Sequence, residues 1–85
     1  MKKILGINGE RLNQRIARLA EVGAIEGGGC ARLALSDADK AGRDLVCGWM
    51  RELNLEIRID GIGNVVATRA GRQSGPPVMT GSHID

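Results

Sequence analysis

The residues best suited to chemistry lie in the segment Thr80-Gly81-Ser82-His83-Ile84-Asp85, which contains the one histidine of the sequence. In an extended segment, side chains two residues apart project to the same side, so His83 and Asp85 can approach each other or share an ion. Neutral imidazole is a common zinc ligand, and a carboxylate on its other ring nitrogen fixes the tautomer and raises its basicity. The spacing alone leaves open both a metal role and a solvated tail.

The rest of a metal site is not evident in these 85 residues. A catalytic zinc site keeps three protein ligands and one open position, whereas the sequence offers one histidine, scattered carboxylates and two cysteines. Cys30 and Cys47 are too widely spaced for a Cys-x-x-Cys pattern, and nothing else marks an oxidising compartment. We therefore predict two free thiols in a cytoplasmic protein, and a metal site that this segment cannot complete alone.

Two amphipathic helices are predicted to lead toward these residues. The first runs from Glu10 to Val22, with Asn8 as N-cap, Gly23 as terminator and an apolar face of Leu12, Ile16, Leu19 and Ala20. The second begins after the cap Ser36, where Asp39 takes the place of the usual Glu or Gln of a capping box, and ends at about Leu53. Its predicted buried face comprises Ala38, Ala41 or Gly42, Leu45, Val46, Trp49, Met50 and Leu53, with Lys40, Arg43, Asp44, Arg51 and Glu52 in water.

Three strands are predicted after the helices. Leu55, Ile57 and Ile59 alternate with polar residues, which is typical of a half-buried strand. The turn Gly61–Asn64 then leads into a returning strand at 65–68, and Val78-Met79-Thr80 follows as a third strand after Pro76-Pro77. The order of two helices followed by three strands indicates an α/β chain, with an α+β arrangement as the alternative.

Two glycine-rich segments resemble nucleotide-binding motifs but lack what those motifs need. Gly27-Gly28-Gly29 is predicted to be a mobile or tightly turning connection. It is followed by Cys30-Ala31-Arg32 rather than by Gly-Lys-Ser/Thr and a helix, so a flexible linker is favoured over a phosphate loop. Gly61 and Gly63 run on into a strand, whereas a dinucleotide motif opens a helix. Both nucleotide-binding interpretations are set aside.

Composition excludes several further classes of function. The net charge of +2 comes from basic and acidic residues mixed along the chain, which does not indicate nucleic-acid binding. The apolar stretch after Met1-Lys2-Lys3 is too short for a signal peptide or a membrane span. Hydrophobic residues make up 42% of the chain, as in ordinary folded proteins, but Trp49 is its one aromatic residue. A core without other aromatics indicates a piece that packs against something else.

Four segments, in this order along the chain, carry a family resemblance: Ile7-Asn8-Gly9-Glu10-Arg11-Leu12, Arg32-Leu33-Ala34-Leu35-Ser36-Asp37, Gly61-Ile62-Gly63-Asn64 and Thr80-Gly81-Ser82-His83-Ile84-Asp85. Together they resemble the opening of the N-carbamoyl-L-amino-acid hydrolase and allantoate amidohydrolase family, which is similar to the broader metallo-aminoacylase and carboxypeptidase group. The resemblance extends over essentially the whole chain. The unexpected Cys30 and Cys47 and the variable Ile84 are its small departures.

The resemblance implies a metal-dependent hydrolase of non-peptide C–N bonds, acting on carbamoyl amino acids or allantoate-like ureido compounds. Residues 1–85 would be the amino-terminal part of its two-metal α/β catalytic domain, with the remaining ligands, the general-base glutamate and a smaller inserted dimerisation domain beyond Asp85. His83 would be a metal ligand, and Asp85 the aspartate of the catalytic site that orients it. The metals would be zinc, manganese, cobalt or nickel, and the full-length protein a cytoplasmic homodimer with no nucleic-acid or membrane partner.

Two alternatives remain open at this stage. The 85 residues could be a truncated, inactive product with at most a structural or interaction role, since a small sheet with open edges is expected to aggregate or unfold alone. The longer protein could also be a peptidase or deacylase of the broader group. The segment from Arg32 to Asp37 favours the carbamoylase branch.

Overall fold

The structure is a computed structural model that describes residues 5–85. Its elements are α1 (Gly9–Glu21), β1 (Ala24–Ile25), β2 (Gly29–Cys30), α2 (Asp37–Glu52), β3 (Glu56–Ile59) and β4 (Val65–Thr68). The strands form two antiparallel pairs, β1 with β2 and β3 with β4. The predicted α/β class is thus confirmed. Helix α2 is the central element, because it contacts α1 and both strands of the second pair.

Helix α1 begins and ends close to where the sequence predicts. The side-chain oxygen of Asn8 accepts a hydrogen bond of 3.0 Å from the main-chain N–H of Arg11, which satisfies one of the free amides of the first turn. Val22 caps the other end, and Gly23 follows with a φ of +83°. That angle lies in the left-handed region that favours glycine, so the chain turns sharply away from the helix axis.

Gly23 also lies close to the main chain of Ala31, the residue that follows β2. This close approach leads to the first prediction. A Cβ at Gly23 would lie 2.7 Å from the carbonyl oxygen of Ala31, which the main chain cannot avoid without moving. We expect Gly23→Ala to lower the free energy of unfolding by about 2 kcal/mol, measured by urea unfolding followed by Trp49 fluorescence. Gly28 is the matched control, because its φ is +85° but nothing lies within 4 Å of its Cβ position. Equal losses in the two variants would contradict a role for the contact with Ala31.

Of the mobile and the tightly turning connection predicted at Gly27–Gly29, the structure shows the tight turn, and the flexible linker that the sequence favoured is wrong. The segment is the turn of a short antiparallel hairpin in which Ala24 pairs with Cys30 and Ile25 with Gly29. Gly27 and Gly28 both have positive φ, which lets two strands reverse within a few residues. The glycines therefore permit a tight turn here rather than a mobile connection.

Helix α2 begins with a modified capping box. The Ser36 hydroxyl accepts from the N–H of Asp39 at 3.2 Å, as predicted. The Asp39 carboxylate accepts from the N–H of Leu35 at 2.9 Å, one residue before the cap, where the φ is +65°. The N–H of Ser36 itself donates to the main-chain oxygen of Leu33 at 3.1 Å. The helix ends at Glu52 with Leu53 as its C-cap, as the sequence predicts.

The buried face of α2 agrees with most of the prediction. Of the alternatives Ala41 and Gly42 it is Gly42 that is buried, and most of the other predicted residues are half-buried, namely Ala38, Leu45, Val46, Trp49 and Met50. Leu53, however, is 55% exposed, and Cys47, predicted to flank the face, is buried. Arg43, predicted to lie in water, is half-buried because it pairs with Asp39. Helix α2 contacts α1, β3 and β4, and Gly42 also lies close to Arg32 and Ile84. Periodicity along the helix does not reveal these last two partners.

Strands β3 and β4 form a hairpin whose inner side faces α2. Ile57 pairs with Ala67 and Ile59 with Val65 across the hairpin. Ile57, Val65 and Ala67 are half-buried, while Ile59 is 60% exposed, so the predicted alternation holds only for the first part of the strand.

The predicted third strand at 78–80 is wrong for this structure. The segment makes no ladder with any strand among residues 5–85, and the side chain of Val78 is fully exposed. A strand needs a hydrogen-bonded neighbour, and no described strand lies beside this segment.

Much apolar surface is open to solvent. Large hydrophobic side chains are exposed along the described chain: Leu5, Ile7, Leu12, Ile16, Ile25, Leu33, Leu35, Leu53, Ile59, Ile62, Val66, Val78 and Met79. The radius of gyration is 15.4 Å, whereas a compact domain of this length has about 12 Å. The apolar face of α1 is accordingly not covered, and its residues do not form a core. Within residues 5–85, no helix has the length and hydrophobicity to cross a membrane.

Candidate active-site cleft

Three of the four segments that carry the family resemblance meet around one cleft of about 360 Å³. One wall is α2, and a second is the turn between β3 and β4. The third wall is the segment Thr80–Asp85, called the tail below. The lining residues are Ala34, Leu35, Asp39, Arg43, Val46, Met50, Ile62, Gly63, Asn64, Val65, Ser82, His83, Ile84 and Asp85. The fourth segment lies at the start of α1, away from this cleft. Segments far apart in sequence thus converge on the predicted site residues.

The structure brings His83 and Asp85 together as the spacing suggested. Nδ1 of His83 lies 3.3 Å from Oδ1 of Asp85 and 3.1 Å from the main-chain oxygen of the same residue. Both oxygens accept hydrogen bonds, so the arrangement fits a tautomer in which Nδ1 carries the proton. The imidazole is 84% exposed. Its Nε2 is then the nitrogen whose lone pair is available to a cation.

The chemistry of these donors fits a metal ligand of the histidine–carboxylate type, in which the carboxylate holds the second nitrogen of the ring. No group of three or more His, Cys, Asp or Glu side chains that could hold a metal occurs within residues 5–85. Cys30 is exposed, Cys47 is buried, and neither forms a disulfide, in agreement with the prediction of free thiols. This segment therefore supplies one candidate ligand, His83, and its orienting partner.

Asp39 and Arg43 form the best-buried ion pair of the described residues. Nε of Arg43 donates to Oδ2 of Asp39 at 3.2 Å, and the Asp39 side chain is 8% exposed. The same Oδ2 accepts from the N–H of Leu35. The pair lines the cleft and joins the start of α2 to the segment before it. Gly63 is close to this cluster, because a Cβ there would lie 3.8 Å from Leu35 and 4.0 Å from Arg43.

The turn that forms the second wall is organised by one carboxylate. Oδ1 of Asp60 accepts from the N–H groups of Ile62 and Asn64, and Oδ2 accepts from the side-chain amide of Asn64. These hydrogen bonds, that of the Asn64 side chain most of all, hold the pKa of Asp60 below its ordinary value of 3.8. Gly63 has a φ of +93°, which this tight turn requires. The recognised Gly61–Asn64 segment is thus a self-contained turn that presents Ile62 and Asn64 to the cleft.

The lowered pKa of Asp60 predicts how this turn responds to acid. Because the pKa is lower in the folded state, the turn's contribution to stability is complete above the unfolded value of about 3.9 and is lost as the pH falls through the folded value. We expect a carbon-13 NMR titration of the Asp60 carboxyl to give a pKa below 3.8. Asn64→Ala removes the largest cause and should move that pKa upward. An unchanged pKa in the variant would contradict the assignment.

Arg32 has a role that the sequence did not reveal. Its guanidinium donates to the main-chain oxygens of Leu19, Val22 and Ile84, and so connects the end of α1 with the tail. Asp39, Arg43 and Arg32 were assigned no site role from the sequence, since only tertiary contacts mark them. Membership of Arg32 in a recognised segment was the one signal that pointed to it.

Comparison with known proteins shows which proteins this chain is similar to. No protein-family model matches the chain. A crystal structure of a hydantoinase/carbamoylase family amidase from Burkholderia ambifaria superposes with a TM-score of 0.92 at 42% sequence identity, covering 98% of this chain and 21% of that one. In sequence and in fold, the chain is homologous to part of the hydantoinase/carbamoylase family amidases.

The sequence relatives include amidohydrolases whose substrates are named. An N-carbamoyl-L-amino-acid amidohydrolase of Pseudomonas sp. (strain NS671) is 43% identical over 84 residues, which is 98% of this chain and 20% of that protein. A ureidoglycolate hydrolase of Oryza sativa subsp. japonica is 32% identical over 80 residues, which is 93% of this chain and 16% of that protein. The resemblance to N-carbamoyl-amino-acid amidohydrolases is therefore confirmed. The chain spans about a fifth of the length of these relatives.

Proposed function

We propose that this chain is part of the catalytic domain of an amidohydrolase that cleaves the carbamoyl C–N bond of N-carbamoyl-L-amino acids. The observation that carries the proposal is the meeting of three recognised segments around the cleft that contains His83 and Asp85. The identity of 43% to a carbamoyl-amino-acid amidohydrolase supports the substrate class. The remainder of the catalytic domain and an inserted dimerisation domain belong to the longer protein in this proposal.

In the proposed site, His83 is one ligand of a divalent metal, and Asp85 is its orienting partner. A proton on Nδ1 of His83 is shared with the oxygens of Asp85, which leaves Nε2 as the ligand atom and raises its basicity. The chemistry that a bound divalent cation supplies in such sites is polarisation of the scissile carbonyl and activation of water. Zinc, manganese, cobalt and nickel all accept imidazole, and this segment does not select among them.

The cleft walls beside His83 suit a small polar substrate. Arg43 and Asn64 line the same cleft and hold N–H groups beyond those that they donate to Asp39 and Asp60, and Ile62 and Met50 add apolar surface. A monosubstituted ureido group has three N–H donors on two nitrogens and one carbonyl acceptor, so recognition by a few fixed polar groups is expected. The ureidoglycolate hydrolase among the relatives acts on such a group as well, which supports ureido compounds as the second substrate candidate.

Two further properties belong to this proposal. A homodimer is inferred from the family resemblance, and the open apolar surface of α1 leaves room for contacts with the remainder of the longer protein. A cytoplasmic location is supported by the free thiols of Cys30 and Cys47, which suit a reducing compartment.

A substrate panel tests the proposal. The protein, at the length its native source produces, is incubated with an N-carbamoyl-L-amino acid, ureidoglycolate, allantoate, the matched N-acetyl amino acid and a dipeptide of the same side chain. We expect kcat/KM for the carbamoyl amino acid to exceed that for the acetyl compound by at least about 100-fold, because a site built to hydrogen-bond the terminal NH2 group leaves its own polar groups unpaired when it binds the acetyl compound. Preference for the dipeptide or the acetyl compound would instead assign a peptidase or a deacylase.

A further inference from the structure

Arg32 joins two segments that lie far apart along the chain. Its Nε donates to the main-chain oxygen of Ile84 at 2.6 Å. Its Nη1 donates to the oxygens of Leu19 at 2.9 Å and Val22 at 2.6 Å. The last carbonyls of a helix lack intrahelical partners and carry the negative end of its dipole, so a guanidinium is well suited to this position. One side chain thus fixes the tail to the end of α1.

The space for this side chain is provided by a buried glycine of α2. A Cβ at Gly42 would lie 3.0 Å from Cδ of Arg32 and 3.4 Å from Cδ1 of Ile84. The first distance is tighter than ordinary packing, so a side chain at position 42 requires Arg32 to shift by a few tenths of an ångström. Glycine is a poor residue for a helix interior, and here it permits the close approach of the tail and the arginine to the helix.

We propose that Arg32 is a positioning residue that fixes His83 and Asp85 at the cleft by holding the main chain of Ile84, which lies between them. The inference rests on the proposed function, in which His83 is a metal ligand. With the carbonyl of Ile84 fixed, the residues on either side keep the orientation in which Nδ1 of His83 meets Asp85. Partners that orient a metal ligand typically change metal affinity by about 10–100-fold when they are lost.

The geometry requires arginine and not merely a positive charge. Nε and Nη1 donate in two directions, toward the tail and toward the helix end, whereas the ammonium of lysine places its donors on one nitrogen. If Arg32 only neutralised the end of α1, Arg32→Lys would behave as the unchanged protein. If Arg32 positions the tail, Arg32→Lys loses that function while it keeps the charge.

The test uses the natural-length protein and its Arg32→Lys and Arg58→Ala variants. Arg58 is an exposed control. Nitrogen-15 relaxation at the main-chain amides of His83 and Ile84 measures how rigidly the tail is held. Titration with Zn²⁺ alone measures the affinity of the proposed metal site. For Arg32→Lys we expect the amide order parameters to fall below about 0.6 and Zn²⁺ to bind at least about tenfold more weakly. Arg58→Ala should change neither quantity.

Gly42→Ala keeps the inference testable if Arg32 variants fold poorly. Alanine is favourable in a helix, so this variant shifts Arg32 away from α2 without weakening the helix itself. We expect it to mobilise the tail and weaken Zn²⁺ binding in the same sense as Arg32→Lys. Order parameters and Zn²⁺ affinity that stay unchanged in both variants overturn the inference. Failure of the proposed function is distinguishable, because a protein that hydrolyses no carbamoyl compound still gives the relaxation result.

Discussion

Replacing His83 by alanine in the natural-length protein is expected to abolish hydrolysis of N-carbamoyl amino acids and to remove bound metal. The physical reason is that a catalytic metal site has only about three protein ligands, of which His83 is one in this proposal, and alanine has no atom that can take the place of the imidazole nitrogen. We expect kcat/KM to fall by more than about 100-fold, since loss of an orienting partner alone costs 10–100-fold. Steady-state kinetics and metal analysis of the purified variant measure both effects.

Asp85→Asn provides the matched comparison for His83→Ala. Asparagine keeps a side-chain oxygen that can accept from Nδ1 of His83 but removes the charge, so we expect a smaller loss in metal affinity of about tenfold. Full turnover and metal content in His83→Ala would contradict a ligand role for His83. An Asp85→Asn variant as impaired as His83→Ala would contradict the division of roles between ligand and orienting partner.

The second large effect is expected on stability, from Asp39→Ala. The change leaves the half-buried guanidinium of Arg43 and the N–H of Leu35 without their acceptor. Breaking a buried hydrogen-bonded ion pair is strongly destabilising, and since Arg43 is partly in contact with solvent we expect a loss of about 2–3 kcal/mol in the free energy of unfolding. Urea unfolding followed by Trp49 fluorescence measures it.

Asp44→Ala is the control for Asp39→Ala. Asp44 also pairs with a basic residue four positions away on α2, Lys40, at 2.8 Å, but both side chains are mostly exposed. Exposed ion pairs contribute little, so the control should unfold at nearly the same urea concentration as the unchanged protein. A loss in Asp44→Ala equal to that in Asp39→Ala would show that burial does not distinguish the two pairs.

The helices were the part of the fold that local rules predicted well. Asn8 and Ser36 cap them as expected, because a cap depends on residues within one turn. The hairpin of β3 and β4 followed from period-two alternation for the same reason. The hairpin at Gly27–Gly29 was missed, since a glycine run fits a tight turn as well as a mobile linker, and the pairing of Ala24 with Cys30 decides between them.

The site was predictable only in part. His83 and Asp85 were identified from their spacing and from the resemblance, and the structure brings them together. The sequence did not identify three further residues of the site, Arg32, Asp39 and Arg43. Their roles depend on contacts that form only in the folded chain, such as the hydrogen bond from Arg32 to the main-chain oxygen of Ile84. Main-chain acceptors carry no sequence signature, so such positioning residues become visible only in three dimensions.

Metal removal tests the central claim most directly. The natural-length protein is treated with a chelator, its metal content is measured, and hydrolysis of an N-carbamoyl-L-amino acid is followed before and after addition of Zn²⁺, Mn²⁺, Co²⁺ or Ni²⁺. Activity that disappears with the metal and returns with at least one of these ions, but does not return in His83→Ala, is the result we predict. Undiminished hydrolysis by metal-free protein would contradict the account.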